Sequence, residues 1–405
     1  MVIKTKHTGK NLQQLRIDNK KNIIRLLRKG EFSGREISRT LELSPAGVQS
    51  LIDEMVEDGI LIKKNATNVL RGRRPINIEI NPEIGVVAVV NFESAEKYNI
   101  KVCDFHANVL FEHTRKAETE QDDLLNYLIQ DLEDLIKKSN KTLYSIAVSS
   151  SGKIEKETGA FHYAPSMGKY EKFNLKKLLE QHFQVGVVVK NKTIFLLRSE
   201  RTGSKKIELQ NGLYIHDLGC AICIDGRIFE GANGYAGEFG MLMMDTYGVM
   251  NEQGFYNPYR SNYFMAAWSG LEQAVSHELG QTLTKRDIFR MYNENNEKVR
   301  VSVEKFLHMY ALVIRNLVGF MDLQQVVVGG TLAELNDEVF LLLSNYVNNG
   351  IMDTLNIQII RANPQNNYFN GGFEYAMDIA CETLIGGYIK NYEKGTMDLD
   401  KTKTE

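Results

Sequence analysis

The sequence has few cysteines and no long apolar run, and these absences exclude several classes of protein. Its 405 residues include four cysteines, too few and too scattered for a disulfide framework. No apolar stretch approaches the roughly 20 residues that span a bilayer, and the opening sequence, MVIKTKHTGK, lacks the apolar core of a signal peptide. Neither a short-period repeat nor a low-complexity tract is present. We therefore expect a cytoplasmic globular protein of two or three domains.

The CxxC pair formed by Cys220 and Cys223 could in principle be a redox or metal site. It lies in an apolar, strand-like run, where an offset of three sends two side chains to opposite faces of a sheet. No second cysteine pair stands nearby to complete a zinc site. We favour two inert core cysteines, and we expect no metal and no cofactor.

Residues 31–80 have the pattern of a winged helix-turn-helix. Ser33 and Glu36 have the spacing of a capping box at the start of one helix. Ser44 and Pro45 can begin a second helix, because proline at a first-turn position loses no helical hydrogen bond. The second helix has an apolar stripe for the core, formed by Val48, Leu51, Ile52 and Met55.

The second helix begins with small polar residues, and a basic loop follows between the strand-like runs ILIKK and INIEI. A major-groove reader needs small side chains there, because bulk would block its approach to base edges. The loop predicts a wing whose arginines meet phosphate or the minor groove. The alternative is a small helical domain with a solvated charge cluster. The expected DNA-binding residues are Ser44, Ala46, Gln49, Ser50, Lys63, Lys64, Arg71, Arg73 and Arg74.

Charge is distributed unevenly along the chain. Residues 1–75 contain 16 Lys and Arg against 8 Asp and Glu, whereas the rest contain 33 against 43. The overall net charge of −2 therefore hides a basic head on an acidic body. We expect contact with DNA to be confined to the head and to weaken with salt.

Helical and strand-like patterns give the organisation of the whole chain. We predict a DNA-binding domain at 1–80, a first α/β lobe at 81–200, a second lobe with oligomerisation helices at 201–395 and a polar tail at 396–405. Strand clusters that alternate with helices in two halves indicate two lobes with a cleft between them. An amphipathic helix at 11–29 leads into the head, and its expected buried residues are Leu12, Leu15, Ile23, Ile24 and Leu27.

Several motifs resemble the ROK family of repressors, open reading frames and sugar kinases, in its transcriptional-regulator branch. The segment IDGRIFEGANGYAGEFG at 224–240 closely matches the central signature of the family, and VVVGGTL at 326–332 matches its late glycine turn. The resemblance covers nearly the whole chain. It implies a two-lobed, actin-like and ribonuclease-H-like ATPase-fold body, and family repressors are homo-oligomers that sense sugars.

The chain departs from the family's kinases where phosphoryl transfer needs specific groups. The family places its catalytic aspartate after Asn191, where this chain has Lys192, which cannot accept a proton at neutral pH without a large fall in its pKa. The first phosphate loop is replaced by NFESAEKY at 91–98, and the second is reduced to Asp217–Ala221. SSSGK at 149–153 lacks the earlier glycine of a P-loop. We expect no kinase activity and therefore no catalytic residues.

The resemblance also implies a zinc site and a sugar site, and both are altered. Met241 stands at the family's histidine position, and no cysteine remains at its cysteine cluster. The residues that we expect to meet a ligand are Ser166, Asn191, Lys192, Glu238 and Asn257. In one interpretation, Lys192 binds an acidic or phosphorylated sugar. In the other, the cleft is vestigial and Lys192 pairs with Glu238.

The sequence as a whole predicts a DNA-binding regulator, a repressor of carbohydrate-use genes that responds to a sugar or sugar derivative. A homodimer or homotetramer would bind double-stranded DNA at an inverted repeat. The alternative is a ligand-independent DNA-binding protein, and a sugar kinase is the third hypothesis. No membrane partner is expected.

Overall fold

The chain packs into two compact units in a computed structural model. Unit 1 draws its residues from 1–151, 165–189 and 372–405, and unit 2 from 152–164 and 190–371. This division groups the head with the first lobe and assigns most of the last described helix, residues 372–384, to unit 1. The domain ranges expected above stay a prediction. The structure describes residues 12–65, 76–118, 124–163, 172–202, 207–239, 242, 249–250, 256–257, 268–349 and 356–385.

The head of unit 1 has the elements of a winged helix-turn-helix in the expected order. Three helices precede a hairpin, and a short strand joins it to make a sheet of order β1-β3-β2. The Ser33 hydroxyl accepts from the amide of Glu36, and the Glu36 carboxylate accepts from the amide of Ser33, so the capping box is confirmed. The elements are α1 Leu12–Leu27, β1 Phe32–Ser33, α2 Gly34–Thr40, α3 Pro45–Glu57, β2 Leu61–Asn65 and β3 Ile76–Ile80.

Apolar side chains from all three helices form the core of the head. The predicted stripe of α3 is fully confirmed, since each of its four members is buried. The prediction for Leu15 of α1 was wrong, because 43% of its surface is exposed. There, α1 is held to α3 by ion pairs from Arg16 and Lys20 to Glu54 rather than by apolar packing. The described apolar core of α1 consists of Ile23, Ile24, Leu26 and Leu27.

The rest of unit 1 is built on a five-stranded mixed sheet of order β10-β7-β4-β5-β6. Strands β4, β5 and β6 pair antiparallel, whereas β4 pairs parallel with β7. This order is that of a ribonuclease-H-like lobe. Its elements are β4 Val86–Ser94, β5 Lys97–Cys103, β6 Val109–Lys116, α4 Leu124–Ser139, β7 Leu143–Ser150, α5 Leu175–Phe183 and β10 Gly186–Asn191, of which the last ends in unit 2.

Unit 2 contains a five-stranded sheet of order β13-β12-β11-β16-β17. Given from its antiparallel edge, the sheet of unit 1 has the corresponding order β6-β5-β4-β7-β10. Two antiparallel pairs come first and the parallel pairs of β16 follow, so the predicted repetition in two halves is confirmed. Helices cover this sheet and share one apolar core with it. The sheet strands are β11 Gly212–His216, β12 Gly219–Ile224, β13 Arg227–Phe229, β16 Gln325–Gly329 and β17 Gln358–Arg361. Short strands outside the sheet are β8 Lys153–Ile154, β9 Phe161–Tyr163, β14 Val249–Met250 and β15 Tyr256–Asn257.

Within the described residues, the last third of the chain is mainly helical, as predicted. The helices from 192 onward are α6 Lys192–Thr202, α7 Trp268–Leu279, α8 Lys285–Asn293, α9 Glu297–Met321, α10 Asp337–Asn348 and α11 Tyr368–Leu384, with a 3-10 helix at Gly330–Glu334. Within the described parts of the chain, no helix combines the length and the apolar character that crossing a membrane requires.

Candidate nucleic-acid interface and ligand site

The N-terminal half of α3 is open to solvent. Ser44 caps the helix, its hydroxyl accepting from the amide of Gly47 at 3.1 Å, and Pro45 occupies the first turn as predicted. Ala46, Gln49 and Ser50 are all exposed, because the apolar stripe turns the opposite side of the helix into the core. Among the described residues, no segment covers these three side chains, which are here called the reading face.

Two of the expected DNA-binding residues share a carboxylate partner. The amide of Gln49 donates to Asp53 at 2.9 Å, and the ammonium of Lys63 donates to the same oxygen at 2.6 Å. These hydrogen bonds, that from Lys63 first, hold the pKa of Asp53 below its usual value. Such exposed pairs contribute little to stability. Gln49 on the reading face and Lys63 beside it can therefore exchange this partner for DNA at small cost.

Lys64 lies on the hairpin strand β2 and pairs with Glu79 of β3 at 2.5 Å. The Glu79 carboxylate, through this hydrogen bond, raises the pKa of Lys64 and keeps it charged. The hairpin is thus basic on its solvent side up to the point where the wing begins. The wing arginines Arg71, Arg73 and Arg74 lie outside the described residues, and their contact with DNA stays a prediction.

Asn191, an expected ligand residue of unit 2, is engaged in local structure. Its Oδ1 accepts from the amide of Thr193 at 2.9 Å in the first turn of α6, and its Nδ2 donates to the carbonyl of Gly152 at 2.9 Å. Asn191 therefore fixes both the start of α6 and the start of β8. A ligand at this point would have to share the amide with these partners.

Glu238 is a half-buried carboxylate in the same unit, and among the described residues no hydrogen bond reaches it. Gly237 places it, because a Cβ at this glycine would lie 1.9 Å from the carbonyl oxygen of Cys220. Burial raises the pKa of Glu238, and the charge of Lys153 acts in the opposite direction. A carboxylate with free acceptor oxygens can bind the hydroxyl groups of a polyol.

Lys192, which the resemblance aligns with a catalytic aspartate, begins α6. Its ammonium lies 4.9 Å from the centre of the Tyr368 ring, the geometry of a cation–π contact. The cation that acts on Glu238 is Lys153. The pairing of Lys192 with Glu238 stays a prediction, and the contacts described above give each residue a different neighbour.

The second glycine turn of unit 2 is closed by a carboxylate from the same chain. Asp217, between β11 and β12, accepts from the amide of Thr331 at 2.9 Å in the first turn of the 3-10 helix. Gly330 has a φ of +65°, and a Cβ there would lie 2.7 Å from a carboxylate oxygen of Asp217. The hydroxyl of the buried Tyr310 donates to the backbone carbonyl of Asp217. An anionic side chain thus fills the turn that could otherwise meet a phosphate.

The CxxC cysteines are buried and unpaired, as predicted. Burial raises the pKa of Cys220 to about 12, so its thiol is protonated and unreactive at neutral pH. Among the described residues, no group of three or more His, Cys, Asp or Glu side chains could hold a metal ion. Ser166 and Met241, which stands at the histidine position that the resemblance implies, lie outside those residues, and Asn257 is described only as part of strand β15.

Two functional features of unit 2 were missed by sequence reasoning. Lys153 follows a serine run whose only sequence signal is an incomplete P-loop, and nothing in the sequence joins it to Glu238, 85 positions away. The bond from Thr331 to Asp217 spans 114 positions. The sequence did contain a signal for the bond to Asp217, because an acidic residue in a phosphate-type turn repels phosphate.

The chain is similar to known proteins over most of its length. A family model for the ROK family matches residues 95–373, more than half of the chain. The chain belongs to the ROK family. A xylose repressor from Caldicellulosiruptor bescii is 24% identical over 328 residues, which cover 76% of this chain and 82% of that repressor.

Solved structures show how far the fold is shared. A ROK family transcriptional regulator, a homologue of the Escherichia coli Mlc protein, superposes with a TM-score of 0.75 at 16% identity, over 92% of this chain and 98% of that one. The ROK hexokinase from Thermus thermophilus superposes with a TM-score of 0.59 at 17% identity, over 74% of this chain and 100% of the hexokinase. The body therefore has the actin-like ATPase fold, as expected, and the regulator accounts for more of the chain than the kinase does.

Proposed function

We propose that this protein is a sequence-specific DNA-binding regulator, a repressor of carbohydrate-use genes whose body responds to a sugar or sugar derivative. The observation that carries the proposal is the exposed, small and polar reading face of α3, within a head whose described helices and strands follow the order of a winged helix-turn-helix. Similarity to a xylose repressor along three quarters of the chain supports the assignment to sugar metabolism. Two heads in a homodimer would address an inverted repeat.

Phosphoryl transfer is not part of the proposed function, although kinases share the fold. The transferred group needs cationic or amide contacts around its phosphates and a carboxylate to accept the proton of the hydroxyl. In this chain Lys192 stands at the carboxylate position, and Asp217 occupies the amide of Thr331. Both changes place the wrong charge for the chemistry.

The ligand site of the regulator is centred on Glu238 in this proposal. Its carboxylate has no hydrogen-bond partner among the described residues, and Lys153 supplies a cation beside it. Asn191 orders the backbone at Gly152, immediately before Lys153. A hydroxylated ligand with an acidic group would satisfy both Glu238 and Lys153, which makes a sugar acid or sugar phosphate the class to examine first.

The wing provides the experiment for DNA binding. Replacing Arg73 and Arg74 with alanine removes two positive charges from each head, and so four from a homodimer, that we place against phosphate; the slope of log affinity against log salt should therefore become less steep by about 4. Affinity would be measured by fluorescence anisotropy on a selected duplex between about 50 and 300 mM salt, roughly the range in which such slopes are resolved. The matched control is Lys137→Ala with Lys138→Ala at the exposed end of α4, which removes the same charge from the body. A slope unchanged by the wing substitutions would contradict wing contact.

A further inference from the structure

Three ion pairs join the first and last helices of unit 1. Lys21 contacts Glu382 at 3.0 Å and Arg25 contacts Asp378 at 2.9 Å. Arg28 donates two hydrogen bonds to Glu374, one of them at 3.1 Å. As the residue number increases along α1, the number of its partner on α11 decreases, so the two helices run antiparallel. These three pairs are here called the α1–α11 ladder.

The ladder is a built contact rather than a chance meeting of surface charges. Its acidic residues are four positions apart along α11, and its basic residues are four and then three positions apart along α1. These spacings place each set on one helix face. The side chains of Arg28 and Glu374 are only 13% and 20% exposed, and the guanidinium also lies 5.0 Å from the centre of the Phe373 ring. Loss of one member of such a shielded pair leaves an uncompensated charge.

Helix α1 also contacts α3, the helix that carries the reading face. Arg16 and Lys20 contact the two carboxylate oxygens of Glu54 on α3, at 2.5 and 2.6 Å. Arg16 also lies 3.5 Å from the hydroxyl of Ser50 on the reading face. The position of α1 therefore bears directly on the helix that we expect to enter the major groove.

The other end of α11 lies beside the candidate effector residues. Residues 368–371 belong to unit 2 and the rest of the helix to unit 1, so one continuous helix has its ends in different units. In unit 2 the ammonium of Lys192 lies over the Tyr368 ring. A Cβ at Gly371 would lie 1.7 Å from the carbonyl oxygen of Phe195, which means that α11 meets the backbone of α6 directly.

We propose that α11 is the lever that connects the ligand site with the reading head. A change at Lys192 or α6 shifts the start of α11, and the ladder transfers the shift to α1 and from there to α3. The regulatory meaning of the lever rests on the function proposed above, but the lever itself can be tested without DNA or effector. A continuous helix with a defined contact at each end is the kind of element that can transmit a two-state change.

Amide hydrogen exchange of the full chain, read by mass spectrometry, tests the lever. The half-exposed pair Arg25–Asp378 is chosen because its loss leaves the buried pair intact. Asp378→Arg should raise exchange in α1 by about 10-fold, since local opening becomes easier, and adding Arg25→Asp should restore it to within about twofold. Glu338→Arg, which breaks an exposed pair between α9 and α10, is the control and should leave α1 unchanged.

The decisive variant is Tyr368→Leu, which removes the ring under Lys192 and lies in unit 2. The lever predicts about threefold faster exchange in α1, although α1 is in unit 1. Exchange that rises only in α6 and the first turn of α11 would overturn the proposal, as would an α1 indifferent to Asp378→Arg. A chain that binds no duplex but shows the predicted exchange would contradict the proposed function and leave the lever standing.

Discussion

The starts of α3 and of the 3-10 helix at Gly330 differ in whether they are open to solvent or closed by a carboxylate. Helix α3 begins with the Ser44 cap and a reading face open to solvent, in the basic head. The 3-10 helix at Gly330 begins against the carboxylate of Asp217, in the acidic body. Both starts offer backbone amides that suit an anion. The start of α3 is thus open to an anion, whereas this turn of the body is closed by the chain's own carboxylate.

The largest expected effect comes from making the reading face resemble the closed turn. Ala46→Glu adds a carboxylate to the first turn of α3, where the helix dipole favours it, so the head should stay folded. The same carboxylate would face phosphate and base edges, and affinity for a selected duplex should fall by roughly 10- to 100-fold, as for the loss of a base contact.

Gln130→Glu on an exposed position of α4 is the matched control for that substitution, because it adds the same charge to unit 1 away from the head. Equilibrium binding would be compared for both variants, with thermal unfolding to verify the fold. Equal losses in the two variants would mean that overall charge, and not the reading face, governs binding.

A smaller effect is expected from disturbing the closed turn. Gly330→Ala introduces a Cβ at a positive φ, 2.7 Å from the Asp217 carboxylate, and should lower the free energy of unfolding by about 1–3 kcal/mol. Gly280→Ala is the matched control, since Gly280 has a φ of +64° and no atom lies within 4 Å of the position that its Cβ would take. Its cost should be limited to backbone strain, about 1 kcal/mol.

A double-mutant cycle separates contact from strain at the same turn. In an Asp217→Ala background, Gly330→Ala should cost no more than Gly280→Ala does, because the carboxylate that it meets has been removed. Urea unfolding supplies the four free energies. Additive effects of the two substitutions would show that Asp217 does not close the turn, and the contrast with α3 would lose its structural basis.

The sequence predicts the structure best where the signal is local. Ser33, Glu36 and Pro45 act within one helical turn, so their patterns predicted both helix starts of the head correctly. Strand clusters that alternate with helices likewise indicated two α/β lobes. Prediction is weakest where the partner is distant in the chain. Leu15 was expected to be buried because its spacing is helical, but it is exposed, and the neighbouring Arg16 contacts α3 instead, through Glu54.

The candidate sites divide in the same way. Exposure of Ala46, Gln49 and Ser50 follows from the apolar stripe of their own helix, and the structure confirms it. The neighbours of Lys192 and Glu238 depend on residues that no local pattern connects, namely Tyr368 and Lys153. The α1–α11 ladder joins residues more than 340 positions apart. Only tertiary structure reveals such pairs.

Selection from a library of random duplexes tests the central claim most directly. The full-length protein would be incubated with the library at physiological salt, and bound duplexes would be recovered and sequenced over several rounds. A regulator that reads DNA through two symmetric heads should enrich an inverted repeat, and Ala46→Glu should fail to enrich it. Recovery of no common sequence by the unaltered protein would contradict the account.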